Sequence, residues 1–156
     1  FHSTKEYSSS IQNHISKSGL INCEVISDNK IKSHILRKSI FAIAKSGTVS
    51  LEVCNLRIPS IILYKMNFIN FLIVKILVKT KFANIINIAA KKEIIPELLQ
   101  GDCNPKNISN KVNYFLNNPN KMEEQINETQ LILKSFKTTN FSAHQAGLSL
   151  NKFLNI

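Results

Sequence analysis

The sequence predicts an α/β fold in which helices flank a parallel β-sheet and a helical region follows. Short apolar runs typical of buried strands alternate with segments that carry apolar residues at helical spacing. This α-β-α-β-α-β order predicts parallel strands joined by right-handed crossovers, as in a Rossmann-like sheet. From Gly101 onward the strand-like runs stop, and the remaining patterns are helical.

The N-terminal pattern predicts a helix from Thr4 to Ser18, with Thr4 as its cap and Gly19 at its end. The apolar residues of this helix recur every four positions and share one face: Tyr7, Ile11 and Ile15. A short strand is predicted from Asn22 to Ile26. The first 26 residues are therefore expected to contribute a helix and a strand before the next helix begins.

The next segment predicts a second helix, a strand and a third helix. Ser27 or Asp28 is expected to cap a helix that runs to about Arg37. The apolar run from Ser39 to Ala44 predicts a buried strand of the parallel type. A helix is then predicted from Thr48 to about Asn55.

Pro59 to Leu63 predicts a further strand, with proline at the first strand position, where it is tolerated. The segment from Phe68 to Val78 is the most apolar of the chain and favours a buried crossover helix. It is shorter than the roughly 20 apolar residues that a bilayer span requires. The alternative is an interfacial helix whose cations meet anionic head groups: Lys65, Lys75, Lys79 and Lys81.

Three helices are predicted in the C-terminal region, from Ile108 to Asn117, from Pro119 to Phe136 and from Phe141 to Leu154. Pro119 stands at the first position of its helix, where its missing N–H costs nothing. We therefore expect an α/β region over residues 1–100 and a helical region over residues 101–156.

A glycine turn links the strand that ends at Ala44 to the helix at Thr48, and this arrangement is typical of anion sites at the carboxyl ends of parallel strands. Gly47 lets a ligand approach the backbone, and Thr48 or Ser46 can cap the helix. Glu52 lies one turn further along the same face, where its carboxylate can accept hydrogen bonds from sugar hydroxyls. The arrangement suits a nucleotide-sugar site. The alternative is a plain βα connection in which Glu52 only interacts favourably with the helix dipole and with solvent.

The formal net charge of +10 raises the question of nucleic-acid binding, which other features oppose. Apart from Arg37 and Arg57 the cations are lysines, they are scattered along the chain, and tryptophan is absent. Specific recognition of phosphate and guanine favours arginine, and single-strand binding uses aromatic residues between the cations. We therefore expect no nucleic-acid partner, while the lysines would favour an anionic membrane surface.

The cysteines and histidines are too dispersed to form a recognisable metal or disulfide pattern. Cys23, Cys54 and Cys103 are odd in number and contain no C-x-x-C pair, which favours a reducing cytosol. The four histidines are equally far apart: His2, His14, His34 and His144. We expect no metal site, no cofactor and no catalytic histidine.

Several short motifs follow one another along the second half of the predicted sheet and the helical region. The motifs are Ser46-Gly47-Thr48-Val49-Ser50-Leu51-Glu52, Tyr64-Lys65-Met66-Asn67, Val78-Lys79-Thr80, Asn87, Ile95-Pro96-Glu97-Leu98-Leu99-Gln100 and Ser142-Ala143-His144-Gln145-Ala146. Their order and rough spacing are those seen in bacterial lipid-A-disaccharide synthases, and the chain resembles that family from about Ile40 to its end. One difference is Ile86, where the family usually has proline before the asparagine matched by Asn87.

The resemblance implies an inverting, metal-independent glycosyltransferase of the GT-B fold, in which two Rossmann-like domains face each other across a cleft. It implies transfer of 2,3-diacylglucosamine from UDP-2,3-diacylglucosamine to the 6-hydroxyl of 2,3-diacylglucosamine 1-phosphate, the lipid acceptor. The chain would be the C-terminal, donor-binding half, with UDP bound by residues 1–100. It would lack the N-terminal domain that supplies the general base, and so would be inactive alone.

The resemblance also extends the set of donor-binding residues along the carboxyl ends of the strands. Lys65 follows a predicted strand and can offset diphosphate charge. Glu97 and Gln100, three residues apart, would share one face of a helical turn and could both reach a nucleotide. The alternative is a plain helix start with Pro96 at its first position. The full donor-binding set is Ser46, Gly47, Thr48, Glu52, Lys65, Asn87, Glu97 and Gln100.

Three alternatives remain open at the sequence level. Another GT-B UDP-sugar enzyme, such as a cell-wall N-acetylglucosaminyl transferase, or a nucleotide-sugar epimerase, would share the glycine turn and Glu52. A non-catalytic module would bind UDP without turnover. A basic surface module would meet membranes or nucleic acid by charge alone. The lipid substrates imply a cytosolic protein that touches the inner membrane peripherally.

Overall fold

The computed structural model describes residues 1–67 and 80–136. These residues belong to two compact units, Phe1–Phe41 and a second unit that begins at Ala42. The predicted helices at Phe68 to Val78 and Phe141 to Leu154 lie outside the described residues, as do the Val78-Lys79 and Ser142 to Ala146 motifs. The division predicted at residue 100 stays a prediction.

The first unit contains the helices α1 (Lys5–Lys17) and α2 (Asn29–Leu36). Gly19 adopts a φ of 66°, and the Leu20 N–H donates to the Ile15 carbonyl at 3.3 Å. This is the glycine-based closure predicted for α1. Thr4 stands at the N-cap, but its side chain makes no capping bond.

The predicted cap of α2 is confirmed at Asp28. Its carboxylate oxygen Oδ1 accepts hydrogen bonds from the backbone N–H groups of Lys30 at 2.7 Å and Ile31 at 3.1 Å. These are two of the N–H groups that a helix start leaves without partners.

The strand predicted from Asn22 to Ile26 is wrong. Only Ile26 pairs, in a single parallel bridge with His2. The Ile26 N–H donates to the Phe1 carbonyl at 2.8 Å, and the Ser3 N–H donates to the Ile26 carbonyl at 2.9 Å. Because the facing segment turns into α1 immediately afterwards, the ladder cannot lengthen beyond this bridge.

The second unit contains a parallel three-stranded sheet in the order β1-β2-β3 among the described residues, which confirms the predicted α/β class. The strands predicted at Ser39 to Ala44 and Pro59 to Leu63 are present with slightly shifted ends. The elements of this unit are β1 (Ala42–Lys45), α3 (Thr48–Asn55), β2 (Ser60–Tyr64), α4 (Ile85–Ala90), β3 (Glu97–Leu99), a 3-10 turn (Gln100–Asp102), α5 (Pro105–Leu116) and α6 (Pro119–Ser135).

The helical turn predicted over Ile95 to Gln100 is wrong, because this segment forms β3 and the 3-10 turn. This segment pairs with the edge of β2 instead of forming a helical turn. The Ile62 N–H donates to the Pro96 carbonyl at 2.9 Å and starts a parallel ladder. A three-residue strand leaves almost no periodicity in the sequence, so its tertiary partner decides the conformation.

The core lies between the sheet and the helices α3, α4 and α6. α6 packs against α3, α4 and α5, while α3 packs against β1 and β2. Burial raises the pKa of the Cys54 thiol to about 11, so this core cysteine stays protonated at neutral pH. The buried cluster consists of Ala44, Cys54, Ile62, Ile86, Ile94 and Ile95.

Gln125 of α6 extends the hydrogen-bond ladder at the start of β2. Its Oε1 accepts from the Ser60 N–H at 2.7 Å, and its Nε2 donates to the Ser60 carbonyl at 3.0 Å. The same Nε2 donates to the Ile94 carbonyl at 3.2 Å. Only 5% of Gln125 is exposed, so this amide occupies the place that an additional β3 residue would fill.

We expect Gln125→Leu to lower the free energy of unfolding by on the order of 3 kcal/mol, because buried backbone groups lose their partner. Urea unfolding of the variant and the parent chain measures the difference. Gln12→Leu, at an exposed position of α1, is the matched control and should change stability by less than about 0.5 kcal/mol. Equal losses in the two variants would contradict the role assigned to Gln125.

Candidate functional site

The carboxyl ends of the three strands lie side by side and form one edge, which we call the carboxyl edge. Lys45 pairs with Leu63, and Leu63 pairs with Leu98, so β1, β2 and β3 end within about one residue of each other. The residues that follow them begin at Ser46, Lys65 and Gln100. Ligands of open α/β sheets bind outside this edge.

The glycine turn after β1 is open to solvent and has the geometry that only glycine adopts easily. Gly47 has φ 141° and ψ −162°, and it is the N-cap of α3. A Cβ built on it would meet no atom within 4 Å. Gly47 and Thr48 are both exposed. The backbone of the turn is thus accessible to a ligand at close range.

The expectation that Ser46 or Thr48 caps α3 is wrong, because no side chain makes a capping bond there. The Ser46 hydroxyl instead donates to the Ala83 carbonyl at 2.7 Å. The N–H groups of Thr48 and Val49 in the first turn of α3 therefore retain their capacity to bind an anion, whereas the Ser50 N–H donates to the Gly47 carbonyl. The helix dipole adds to this capacity.

Glu52 occupies the predicted position on α3, one turn beyond Thr48, and is half-buried. Lys65 is exposed directly after β2. The Lys45 ammonium lies 5.7 Å from the centre of the Tyr64 ring, a cation–π distance. Two cations thus stand at the ends of β1 and β2, at the edge where open α/β sheets bind their ligands.

Gln100 holds the segment after β2 through both ends of its amide. Its Oε1 accepts from the Met66 N–H at 2.9 Å, and its Nε2 donates to the Met66 carbonyl at 3.3 Å. Gln100 itself has a φ of 48°, an uncommon conformation for a residue with a Cβ. The ends of β2 and β3 are therefore linked by a side chain that was predicted to contact the donor.

The Glu97 carboxylate receives two hydrogen bonds from the loop that leads into α4 and one from α4 itself. Oε2 accepts from the Ala83 N–H at 2.6 Å, and Oε1 accepts from the Asn84 N–H at 3.0 Å. Oε1 also accepts from Asn87 Nδ2 at 2.7 Å. Most of the acceptor capacity of Glu97 is therefore directed into the protein.

Asn87 is fully buried, and both ends of its amide are engaged. Its Oδ1 accepts from the N–H groups of Ile94 at 2.8 Å and Ile95 at 2.9 Å, while Nδ2 donates to the Ile95 carbonyl at 2.7 Å and to Glu97. The structure thus places Asn87 as a buried brace between α4 and the segment that leads into β3. A direct contact with a ligand stays a prediction.

Residues 2–149 match the family model described as lipid-A-disaccharide synthetase. The chain belongs to the lipid-A-disaccharide synthetase family. The resemblance found in the sequence is thereby confirmed, and the parallel sheet fits a Rossmann-like half of the GT-B fold.

Relatives of the chain include proteins named lipid-A-disaccharide synthase. The chain is 41% identical over 114 residues to the one from Rickettsia conorii, covering 72% of the chain and 26% of the relative. It is 37% identical over 124 residues to the one from Rickettsia bellii, covering 78% of the chain and 32% of the relative. The chain therefore spans about a third or less of these relatives.

Two buried residues of this family member were not among the predicted site residues, although they contact the glycine turn or the loop beside it. Ser50 donates to the Gly47 carbonyl at 2.6 Å, and Asn84 Nδ2 donates to Ser50 Oγ at 2.9 Å. Asn84 also caps α4 by accepting from the Ile86 N–H at 2.9 Å. The one local sequence signal that could have pointed to these residues was Asn84 before a helix, since asparagine is a preferred N-cap residue.

Among the helices that the structure describes, none combines the length and the apolar run needed to cross a bilayer.

We expect Asn87→Asp to destabilise the protein by on the order of 3 kcal/mol at pH 7, because a buried donor is lost and a second carboxylate faces Glu97. Burial would raise the pKa of the carboxyl group introduced at position 87 in the folded state above its unfolded value of about 4. The loss should therefore be greatest above the raised pKa and become smaller as the pH falls toward the unfolded value.

Urea unfolding at several pH values tests this expectation, with Asn113→Asp at an exposed position of α5 as the control. The same stability for both variants at pH 7 would contradict the bracing role of Asn87. A penalty that grows on acidification would contradict the assigned charge interaction.

Proposed function

We propose that this chain supplies the donor-binding half of an inverting glycosyltransferase that forms lipid A disaccharide. The chain alone would not catalyse this reaction. The donor would be UDP-2,3-diacylglucosamine, and the acceptor would be the 6-hydroxyl of 2,3-diacylglucosamine 1-phosphate. The observation that carries the proposal is the uncapped Gly47 turn at the carboxyl edge of a chain from this family.

The turn suits the charge that develops on the leaving group. As the glycosidic bond to the sugar breaks, the UDP diphosphate gains negative charge. Backbone N–H groups at the start of α3 would stabilise that charge without having to reorganise, and the helix dipole acts in the same direction. Lys65 would add a positive charge from the end of β2, where it is exposed.

Glu52 would hold the ribose. It lies one helical turn from Thr48 on the same face, so its carboxylate can accept hydrogen bonds from neighbouring hydroxyls while the turn binds phosphate. Gln100 borders the same edge and would complete the donor site with Ser46 and Thr48. Glu97 and Asn87 would contribute through the loop that they brace.

The acceptor hydroxyl must lose a proton as it attacks the anomeric carbon. We assign no residue of this chain as the general base, and we propose that an N-terminal domain of the enzyme provides it. Both substrates carry acyl chains, so the reaction would take place with the protein in peripheral contact with a membrane surface.

We expect the chain to bind UDP more tightly than ADP in isothermal titration calorimetry at moderate salt. Glu52→Gln should weaken UDP binding by about tenfold, because a charge-assisted hydrogen bond contributes roughly 1.5–3 kcal/mol. Glu123→Gln, at an exposed position of α6, is the matched control and should bind UDP as the parent does.

Binding that responds steeply to salt and does not distinguish UDP from ADP would indicate a basic surface protein and would refute the proposed function. Equal UDP affinity in the parent and in the Glu52→Gln variant would remove Glu52 from the ribose site.

A further inference from the structure

We propose that Ser50 and Asn84 are positioning residues that fix the peptide group between Gly47 and Thr48, so that its N–H faces the diphosphate of the donor. The inference rests on the proposed function for the identity of the ligand. Both side chains are fully buried, and neither belongs to the predicted donor-binding set.

The Gly47 carbonyl is held from the helix side by Ser50. The Ser50 hydroxyl donates to it at 2.6 Å, and the Ser50 backbone N–H donates to it at 3.1 Å. In a planar trans peptide the carbonyl and the N–H of the next residue point in opposite directions. A Gly47 carbonyl that is drawn toward α3 therefore turns the Thr48 N–H away from the helix.

Asn84 makes the direction of the Ser50 hydrogen bond definite. Its Nδ2 can only donate, and it donates to Ser50 Oγ at 2.9 Å, so the Ser50 proton is left for the Gly47 carbonyl. The orientation of the Asn84 amide follows from its other end, since Oδ1 accepts from the Ile86 N–H at 2.9 Å. Each hydrogen bond in this series therefore has a defined donor and a defined acceptor.

The loop that carries Asn84 is fastened to the sheet by Glu97. The carboxylate accepts from the Ala83 and Asn84 N–H groups, and the Ala83 carbonyl accepts from the Ser46 hydroxyl at 2.7 Å. Gly47 is therefore flanked by two anchored serines, Ser46 before it and Ser50 after it. A residue such as glycine, which otherwise has wide conformational freedom, is restricted to one conformation at this site.

Two buried serines allow a matched test. Ser50→Ala removes the hydroxyl that fixes the turn, whereas Ser60→Ala removes a hydroxyl that has no hydrogen-bond partner among the described residues. Ser50 is 0% and Ser60 1% exposed, so the two substitutions take away the same atom from equally buried positions.

Calorimetric titration of the full 156-residue chain with UDP and with uridine is the first measurement. We expect Ser50→Ala to weaken UDP binding by about tenfold while uridine affinity changes by less than about twofold, because the diphosphate depends on the turn. Ser60→Ala should leave both affinities unchanged. Amide hydrogen-exchange protection at position 50 in the ligand-free chain, where the backbone N–H donates to the Gly47 carbonyl, is the second measurement, and we expect it to fall only in Ser50→Ala.

A fall in both affinities by the same factor, or a fall in unfolding stability with no change in the UDP-to-uridine ratio, would reduce Ser50 to a structural residue and overturn the inference. Equal protection of the amide at position 50 in the two variants would overturn it as well. If the parent chain binds no UDP, the proposed function fails and the diphosphate named here fails with it. The exchange comparison would still decide whether Ser50 fixes the turn.

Discussion

The hydrogen bonds that the Glu97 carboxylate accepts are the interactions on which the rest of the candidate site depends. This carboxylate stands on a strand of three residues, and it binds the N–H groups of Ala83 and Asn84 and the Asn87 amide. Charge-assisted hydrogen bonds of this kind are stronger than neutral ones. They join the loop before α4 to the sheet, and that loop in turn holds the Gly47 turn through Ser46 and Ser50.

Amide side chains also hold backbone segments in place elsewhere in the second unit. Gln125 continues the ladder at the start of β2, Gln100 holds the segment after β2, and Asn87 fastens α4 to residues 94 and 95. An amide carries both donors and an acceptor, so one side chain can satisfy a backbone N–H and a backbone carbonyl together. Buried amides thereby extend a sheet whose third strand is very short.

The local patterns predicted much of this fold. The glycine turn followed by α3, the Asp28 cap, the Gly19 closure and the proline at the start of α6 are all decided by residues that are close in sequence. The apolar runs are also local in sequence, so the α/β class and the strands β1 and β2 could be predicted from them. The position of Glu52 relative to Thr48 needed only the helical repeat.

The predictions failed where distant partners decide the structure. The strand β3 exists because β2 offers an edge, and the segment from Asn22 to Ile26 finds only one pairing residue. Ser46 bonds to a carbonyl 37 positions away, so its expected capping role could not be judged locally. The burial of Asn87, which the resemblance includes in the donor-binding set, became visible only with its partners in place.

The most direct test of the account is an NMR titration of the isotope-labelled chain with UDP, in which backbone amide shifts report where the ligand binds. The account predicts that the largest shifts occur at Gly47, Thr48 and Val49, with smaller ones near Glu52 and Lys65. Shifts confined to the cleft between α5 and α6, around Tyr114 and Glu124, or spread over exposed lysines would contradict it.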